Sequence, residues 1–256
     1  MATDTVSLAW DDAVATLTVD RPDRLNALDA ETLRGIADAL EEAREDARAL
    51  VITGAGEKSF VAGADIAAMR EMSTQEAQEY SSLGHSVCSA VETFPAPTIA
   101  AVNGYAFGGG CELAMACDLR IASERAVIGL PEIDLGIVPG FGGTQRLPAL
   151  VGDEVARRLI FFGERLDASD AHEYGLVGEV VAHDRLAEEA AEMAADLAEK
   201  PRFALAAAKE LVNASHEAPR EAALAMERRT MSGLFGTHDQ REGMDAFLED
   251  RDPEFE

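Results

Sequence analysis

Lysine, cysteine, tryptophan and long apolar runs are all scarce in this chain of 256 residues. No stretch approaches the ~20 uninterrupted apolar residues that a membrane helix needs. The three cysteines, Cys88, Cys111 and Cys117, lack metal-ligand spacing, and we expect reduced thiols rather than a disulfide framework or a metal site. No basic region followed by an apolar run opens the chain, so no secretory signal is indicated. We therefore expect a cytoplasmic protein that does not enter a membrane.

Lysine is the scarcest charged residue, present only as Lys58, Lys200 and Lys209. The 22 basic residues face 48 acidic ones, which gives a formal net charge of −26. Such a surface repels nucleic acid and anionic membranes, and neither is an expected partner. An acidic binding face would appear as one block of Asp and Glu, but the acids run from Asp4 to Glu256. Their spread and the shortage of lysine favour a surface adapted to the very salty cytoplasm of a halophile.

Short strand patterns alternate with helix patterns in the first part of the chain. Residues 5–20 alternate as a hairpin does, and Asp29 precedes a helix with one apolar face. Ser73 and Glu76 have the spacing of a capping box, which predicts the start of a long helix. Further strands are predicted at 49–53, 98–102 and 119–122. The alternation predicts the α/β class.

From about Pro201 onward the pattern predicts helices alone. Thr237 and Gln240 have capping spacing and precede an apolar face that includes Met244 and Phe247. Such helices could cover the α/β core or pack on another subunit, and periodicity does not separate these possibilities. The five histidines lie outside every motif described below, and we assign them to the surface or to packing. The pair Phe161-Phe162 is assigned to the core rather than to a ligand pocket.

Two glycine-rich segments each carry a glutamate. In the first, a strand ending near Val102 leads through three consecutive glycines, at 108–110, into a helix whose first turn contains Glu112. Glycines allow a ligand to approach the backbone, and free N–H groups at a helix start can bind an anion or a developing oxyanion. The alternative is a tight turn followed by a solvated glutamate that the helix dipole stabilises.

The second segment, 130–147, carries Glu132 in an otherwise apolar neighbourhood. Desolvation there would raise the pKa of the carboxyl group towards neutrality. Glu112 and Glu132 would form an acid/base pair if the fold brings them together, which spacing alone does not show. No Gly-Lys-Ser/Thr follows the glycines at 142 and 143, so a phosphate-binding loop is rejected.

Both segments closely resemble the two signature stretches of the enoyl-CoA hydratase/isomerase (crotonase) family. Other stretches that resemble the family follow in the same order along the chain. They are Arg21-Pro22-x-x-x-Asn26-Ala27-Leu28, Gly54-x-Gly56-x-x-x-Phe60-x-Ala62-Gly63-Ala64-Asp65-Ile66, Gly163-x-x-x-x-Ala168, Gly175-Leu176-Val177 and Asp239-x-x-Glu242-Gly243-Met244-x-Ala246-Phe247. Each is weak alone, but together they identify the chain as a member of this family.

The resemblance implies a fold and an assembly. Residues 1–195 would form an α/β, crotonase-like spiral of ββα units that holds the active site. Residues 196–256 would form a C-terminal all-helical module used for trimerisation. The implied assembly is a homotrimer or a homohexamer built as a dimer of trimers.

The resemblance also implies a reaction, the reversible addition of water to a 2-enoyl-CoA to give a 3-hydroxyacyl-CoA in fatty acid β-oxidation or related acyl-CoA metabolism. The backbone N–H groups of Ala64 and Gly109 would form the oxyanion hole. Glu112 would hold and activate the attacking water, and Glu132 would supply the proton to the α-carbon. Members that only isomerise or hydrolyse commonly lack one glutamate, and this chain has both. No metal or separate cofactor is implied, because coenzyme A enters as part of the substrate.

Contacts to coenzyme A are expected along the segment after Asn26-Ala27-Leu28 and along the loop 63–67. Arg24 and Lys58, rare cations on an acidic protein, are candidates for its phosphates, with ordinary surface charge as the alternative. The other expected binding residues are Ala62, Asp65, Ile66 and Ala67. Ala67 departs from the family, since many hydratases have a lysine there. The C-terminus, 253–256, also lacks the basic tail common in the family.

Several functions other than hydration are alternatives for this sequence. Dehydration of a short 3-hydroxyacyl-CoA is the same reaction reversed, and the two glutamates do not discriminate against it. They do discriminate against a pure 3-enoyl-CoA isomerase and against a catalytically dead scaffold. An RNA-binding member of the family would need a lysine-rich face, whereas the helix predicted from Asp29 to Arg48 is acidic.

The spread of negative charge leads to a prediction about salt. Molar salt screens charges beyond ~3 Å, whereas at ~0.1 M the screening length grows to ~10 Å and the surface repels itself. We expect the protein to dissociate or unfold when salt is diluted to ~0.1 M. Thermal melting and sizing across about 0.1 to 3 M KCl measure this. A melting temperature independent of salt would contradict the assignment to a halophile.

Overall fold

The computed structural model describes residues 5–256, which form ten strands and eleven α-helices. The strands are β1 Val6–Asp11, β2 Val14–Val19, β3 Ala49–Gly54, β4 Ser59–Val61, β5 Thr98–Val102, β6 Tyr105–Phe107, β7 Leu119–Ser123, β8 Val127–Gly129, β9 Arg165–Asp167 and β10 Glu179–Val181. The α-helices are α1 Ala30–Ala43, α2 Ile66–Met69, α3 Thr74–Glu92, α4 Gly109–Ala116, α5 Gly143–Val151, α6 Asp153–Phe162, α7 Ala168–Glu173, α8 Leu186–Ala198, α9 Arg202–Glu217, α10 Arg220–Leu234 and α11 His238–Glu249. Short 3-10 helices lie at Pro22–Arg24, Pro131–Leu135 and His183–Arg185. None of the helices within this range is long and apolar enough to cross a membrane.

From β3 to β8, successive strands alternate between two sheets. The six-stranded sheet has the order β1-β2-β3-β5-β7-β10, and the four-stranded sheet has the order β4-β6-β8-β9. Neighbouring strands are parallel except in the β1/β2 hairpin and the β8/β9 pair. The consecutive pairs β3/β4, β5/β6 and β7/β8 each place one strand in each sheet, with helices after the second strand. The predicted α/β class and spiral of ββα units are therefore confirmed.

The six-stranded sheet is covered on both faces. One face sends Leu17, Ile52 and Val102 into the main core, which α1, α3 and α4 complete. The other face packs on α8 through residues that include Val51 and Ile99. All five residues of β5 are buried, as expected for a parallel strand with both faces covered.

Helix starts follow the caps read in the sequence. Asp29 caps α1, since its carboxylate accepts the N–H of Thr32 at 2.8 Å. Ser73 and Glu76 form the reciprocal capping box at the start of α3. These caps satisfy N–H groups that the first turn of a helix leaves unpaired.

Gly110 sets the distance between α4 and β4. A Cβ at this position would lie 2.0 Å from the carbonyl oxygen of Val61, so only glycine permits the approach. Val61 ends β4 and leads into the loop 63–67, while the first turn of α4 carries Gly109 and Glu112. The contact thus brings the two segments predicted to form an oxyanion hole to the same edge of the fold.

The C-terminal helices leave large apolar side chains uncovered. The predicted boundary at 195/196 falls inside α8, which ends at Ala198, and only helices follow. Neither α9 nor α10 has a buried residue. On α11, Phe247 is 85% exposed and Leu248 is 80% exposed. These helices therefore leave much of their apolar surface uncovered by the rest of the same chain.

The assignment of Phe161 and Phe162 to the core is wrong. Their exposed fractions are 61% and 71%, and the Arg158 guanidinium lies 5.8 Å from the centre of the Phe162 ring. Helix α6 buries Ala156 and Leu159 instead. A pair of aromatic residues at the end of a helix does not reveal which residues face the core, because that depends on how the whole helix is docked.

A largely buried ion pair attaches α9 to the α/β core. The Lys209 ammonium lies 2.7 Å from the Asp118 carboxylate, and it also donates to the carbonyls of Val91 and Ala96 at 3.3 Å. Asp118 in turn accepts the N–H of Thr98 at 2.7 Å. This lysine, one of three in the chain, therefore has a structural position rather than a place on the surface.

Removing this buried ammonium is predicted to destabilise the fold. Lys209→Met leaves the Asp118 carboxylate without its positive partner, and breaking a buried pair in this way costs about 3 kcal/mol. The free energy of unfolding in molar KCl measures the loss. Lys200→Met, at an exposed lysine, is the matched control. Equal stability of the two variants would contradict the structural role of Lys209.

Candidate active site

Glu112 is buried and its carboxylate is fixed by the backbone. Its side chain is 1% exposed, and its Oε1 accepts the N–H of Phe141 at 2.8 Å and the N–H of Gly143 at 2.7 Å. Desolvation raises the pKa of this carboxyl, while the two N–H donors and the Arg146 charge act in the opposite direction. The alternative of a solvated glutamate at a helix start is therefore rejected.

Glu132 is also buried but is held much less tightly. It lies in the first turn of the 3-10 helix 131–135, is 8% exposed, and its Oε2 is hydrogen-bonded to none of the described residues. Desolvation, followed by the negative charge of Glu112, raises the pKa of Glu132 to about 7. The sequence-based expectation of a pKa near neutrality is confirmed. The Gly108 carbonyl accepts the N–H of Glu112 at 2.9 Å, and a Cβ on Gly108 would lie 2.9 Å from Oε1 of Glu132, so the two glutamates lie close together.

The glycines at 108–110 allow this close packing. Gly108 has a φ of +50°, and a Cβ there would lie 2.9 Å from Oε1 of Glu132. At Gly109, a Cβ would lie 2.8 Å from the ring of Phe141. Gly109 is the first residue of α4, and within residues 5–256 its N–H donates to no backbone carbonyl. A free N–H at a helix start beside two carboxyl groups is suited to binding a carbonyl oxygen.

Ala64, which is bridged to Leu28, carries a second free N–H. The N–H of Leu28 donates to the Gly63 carbonyl at 2.8 Å, and the Leu28 carbonyl accepts the N–H of Asp65 at 2.7 Å. This parallel bridge directs the N–H of Ala64 away from Leu28, and in the described part of the chain it too meets no backbone carbonyl. The Leu28 side chain lies 3.5 Å from the position of a Cβ on Gly109. Leu28 therefore connects the two predicted oxyanion segments.

Three side chains hold this arrangement although the sequence patterns assigned them no role. The Tyr80 hydroxyl donates to the Leu28 carbonyl at 2.8 Å, and its ring lies 5.4 Å from that of Phe141. Arg21 lies between the carboxylates of Asp29, at 2.9 Å, and Asp65, at 3.3 Å. These contacts join segments far apart in sequence.

The third side chain missed is Arg146, which donates to the Phe141 carbonyl at 2.9 Å. Arg21 and Arg146 lie in segments that resemble the family, but nothing in those patterns indicated what either side chain would contact. Tyr80 had no signal, because it is one aromatic residue in a largely polar helix.

The residues expected to bind coenzyme A differ in their exposure to solvent. Arg24 and Lys58 are exposed, as are Ile66 and Ala67, whereas Ala62 is partly buried. The carboxylate of Asp65 caps α2 by accepting the N–H of Ala68 at 3.3 Å, in addition to its contact with Arg21. Asp65 is therefore engaged in holding the Ala64 loop. Among residues 5–256, neither Arg24 nor Lys58 lies in an ion pair with a carboxylate.

Together these groups can perform acid/base chemistry beside a bound carbonyl. One carboxylate is fixed by two N–H donors, the other gains and loses its proton near neutral pH, and two free N–H groups lie at the same edge. In the described part of the chain no cluster of three or more His, Cys, Asp or Glu side chains could hold a metal ion.

The chain belongs to the enoyl-CoA hydratase/isomerase family, whose profile matches residues 10–256. A crotonyl-CoA hydratase of Syntrophomonas wolfei is 44% identical, over 100% of this chain and 99% of the relative. A short-chain-enoyl-CoA hydratase of Clostridium acetobutylicum is 44% identical, over 98% and 97%. The crystal structure of an enoyl-CoA hydratase from Bacillus anthracis superposes with a TM-score of 0.95 at 38% identity, over 98% of this chain and 99% of that one. The family and the crotonase-like fold implied by the sequence are confirmed.

The raised pKa of Glu132 predicts a pH-dependent cost to stability. Below its ordinary pKa of 4.5 the carboxyl is protonated in both folded and unfolded chains, so no ionised group has to be buried on folding. As pH rises from 4.5 to about 7 the unfolded chain releases its proton first, and folding stability falls. Above that window the cost reaches about 3 kcal/mol. Glu132→Gln should therefore be more stable than wild type at about pH 8, with little difference at about pH 5.

Unfolding free energies in molar KCl at both pH values measure this effect. Glu124→Gln is the matched control, because Glu124 is an exposed glutamate away from the site. A Glu132→Gln variant that gains no stability between about pH 5 and pH 8 would show that Glu132 ionises as an ordinary solvated carboxyl.

Proposed function

We propose that this protein is an enoyl-CoA hydratase, a hydro-lyase that adds water reversibly to a 2-enoyl-CoA to give a 3-hydroxyacyl-CoA. The observation that carries the proposal is the pair of buried carboxyl groups, Glu112 and Glu132, with different surroundings in one site. The relatives named as crotonyl-CoA and short-chain enoyl-CoA hydratases support a short acyl chain in the substrate. Fatty acid oxidation or related acyl-CoA metabolism is the matching setting.

The proposed oxyanion hole consists of the N–H groups of Ala64 and Gly109. Both lack a backbone acceptor among the described residues, and both are rigidly held, one by the bridge to Leu28 and the other by the start of α4. They would donate to the thioester oxygen as negative charge develops on it during attack at the β-carbon. One donor of this kind typically contributes 10²–10³ in rate.

Glu112 and Glu132 would have different roles in this step. Oε1 of Glu112 is occupied by two N–H donors, which leaves Oε2 to accept a hydrogen bond from the attacking water. The water oxygen bonds to the β-carbon, Glu132 gives a proton to the α-carbon, and the proton released by the water restores the one that Glu132 gave. A pKa of about 7 suits Glu132 to give this proton in hydration and to take it back in dehydration.

Coenzyme A would enter only as part of the substrate, and the reaction as proposed uses no metal or other cofactor. Arg24 and Lys58, exposed and near the loops that carry Ala27 and Ala64, remain the proposed contacts for its phosphates. The apolar side chains left exposed on α9, α10 and α11 support assembly into a homotrimer or homohexamer. The acidic surface supports a cytoplasmic enzyme that works in very high salt.

The proposal predicts that purified protein hydrates crotonyl-CoA in molar KCl, seen as loss of the ultraviolet absorbance of the conjugated thioester. Glu112→Gln and Glu132→Gln should each lower kcat by about 10²–10⁴-fold with little change in KM. Glutamine keeps the shape of glutamate, but at 112 it lacks the negative charge that activates the water and at 132 it cannot exchange the proton. The double variant should be little worse than the poorer single one, since both residues serve one step. Glu132→Gln should also lose exchange of the α-proton with solvent.

Glu124→Gln again serves as the control and should keep wild-type kcat. No turnover by folded wild-type protein with any 2-enoyl-CoA chain length would reject hydration. A wild-type kcat in Glu112→Gln, with activity lost only in Glu132→Gln, would instead favour isomerisation of 3-enoyl-CoA, because that reaction moves protons without adding water.

A further inference from the structure

The carboxylate of Glu112 depends on a turn that no neighbouring strand supports. Its two N–H donors, from Phe141 and Gly143, lie on either side of Gly142, which has a φ of +108°. The turn ends at Gly143, where α5 begins. Movement of this turn would change the position of Oε1 of Glu112, because both hydrogen bonds come from it.

Arg146 reaches back from α5 over this turn. Its Nη1 donates to the Phe141 carbonyl at 2.9 Å, and its Nη2 donates to Oε2 of Glu92 at 2.7 Å. A Cβ on Gly142 would lie 2.2 Å from Nη1 of Arg146, so only glycine at 142 leaves space for the guanidinium in this position. Phe141 is therefore held on both sides of its own backbone: its carbonyl by Arg146 and its N–H by Glu112.

Glu92 fixes the other end of the guanidinium. It lies in the last turn of α3, and its carbonyl accepts the Asn213 amide of α9 at 2.9 Å. The Arg146 side chain is 15% exposed and that of Glu92 is 40% exposed, so the pair is partly shielded from solvent. Partial burial makes such a pair less sensitive to salt than a fully exposed pair.

Arg146 also supplies positive charge to a carboxylate that burial disfavours. The groups that face Glu112 are Arg146 on α5, Glu132 on the 3-10 helix, Tyr80 and Cys88 on α3, and Cys111 on its own helix. Desolvation raises the pKa values of Tyr80, Cys88 and Cys111, so these groups are uncharged near neutral pH. The Arg146 charge lowers the pKa of Glu112 and so favours its ionised form.

We infer that Arg146, oriented by Glu92, is a positioning residue for hydration: it fixes the Phe141–Gly143 turn and thereby the carboxylate that holds the attacking water. It acts on Glu112 through the backbone of the turn and through its positive charge. The inference rests on the proposed role of Glu112 as the residue that holds this water.

Three variants separate the two contributions of Arg146. Arg146→Met removes both the hydrogen bonds and the charge, Arg146→Lys keeps a charge but not the two-pronged geometry, and Glu92→Gln keeps a partner without its charge. We expect kcat for crotonyl-CoA to fall about 10–100-fold in Arg146→Met and less in Glu92→Gln, with KM nearly unchanged. Arg157→Met, at an exposed arginine that pairs with Asp153 of the same helix, should behave as wild type.

The pH profile provides a readout that a general loss of packing would not change. Because Glu112 must be ionised to hold and activate the water, the acidic limb of kcat reports its protonation. In Arg146→Met this limb should move to higher pH, whereas in Arg146→Lys it should stay near its wild-type position despite the lower kcat. A wild-type kcat in folded Arg146→Met, or a fall in kcat with no movement of the limb, overturns the inference.

Carboxyl ¹³C NMR tests the same point without turnover. The Glu112 resonance is identified by its loss in Glu112→Gln. The pH midpoint of its titration should be higher in Arg146→Met than in wild type. This measurement works even if the protein hydrates no enoyl-CoA, so failure of the proposed function and failure of the inference are distinguishable. If Arg146→Met does not fold, Arg146→Lys and Glu92→Gln decide by kcat: wild-type values in both reject the inference.

Discussion

A buried carboxylate with no shell of water must be satisfied by the protein, and the candidate site depends on this constraint at Glu112. Two backbone N–H groups from one turn supply what solvent would have supplied. That solution requires a turn in which residue 142 has a positive φ and residue 143 has no side chain to displace the carboxylate, which lies 3.0 Å from the position of a Cβ. The glycines of the second signature stretch are therefore a consequence of burying Glu112 in the first.

The two glutamates differ because only one of them receives backbone donors. Glu112 is held by the 141–143 turn, whereas Oε2 of Glu132 has no partner among the described residues. Desolvation acts on both, but at Glu132 little opposes it, and its pKa rises to about 7. Chemically identical side chains thus acquire different roles, one as a fixed acceptor and one as a proton carrier. Leaving Oε2 of Glu132 without a hydrogen bond lowers folding stability. The same arrangement gives Glu132 the raised pKa that acid/base chemistry uses.

Features encoded by neighbouring residues were predictable, and features that join distant segments were not. The capping box at Ser73, the strand 98–102 and the glycines at 108–110 each have a local pattern, and the structure places all three as expected. The exposure of Phe161 and the hydroxyl-to-carbonyl bond from Tyr80 to Leu28 depend on docking between elements far apart in sequence. The raised pKa of Glu132 was predictable because a carboxyl in an apolar run must lose water wherever the run is buried.

Several cations of this chain hold parts of the fold together from partly buried positions. Lys209 and Arg146 are largely buried and bind carboxylates or carbonyls, as does Arg21, while the acidic excess covers the surface. Salt screens charges on the surface strongly and partly buried pairs weakly. Diluting salt should therefore increase repulsion over the exterior much more than it changes the strength of the ion pairs that hold the 141–143 turn and α9. A change in surface charge therefore requires no change in the geometry of the site, because the two sets of charges respond to different dielectric surroundings.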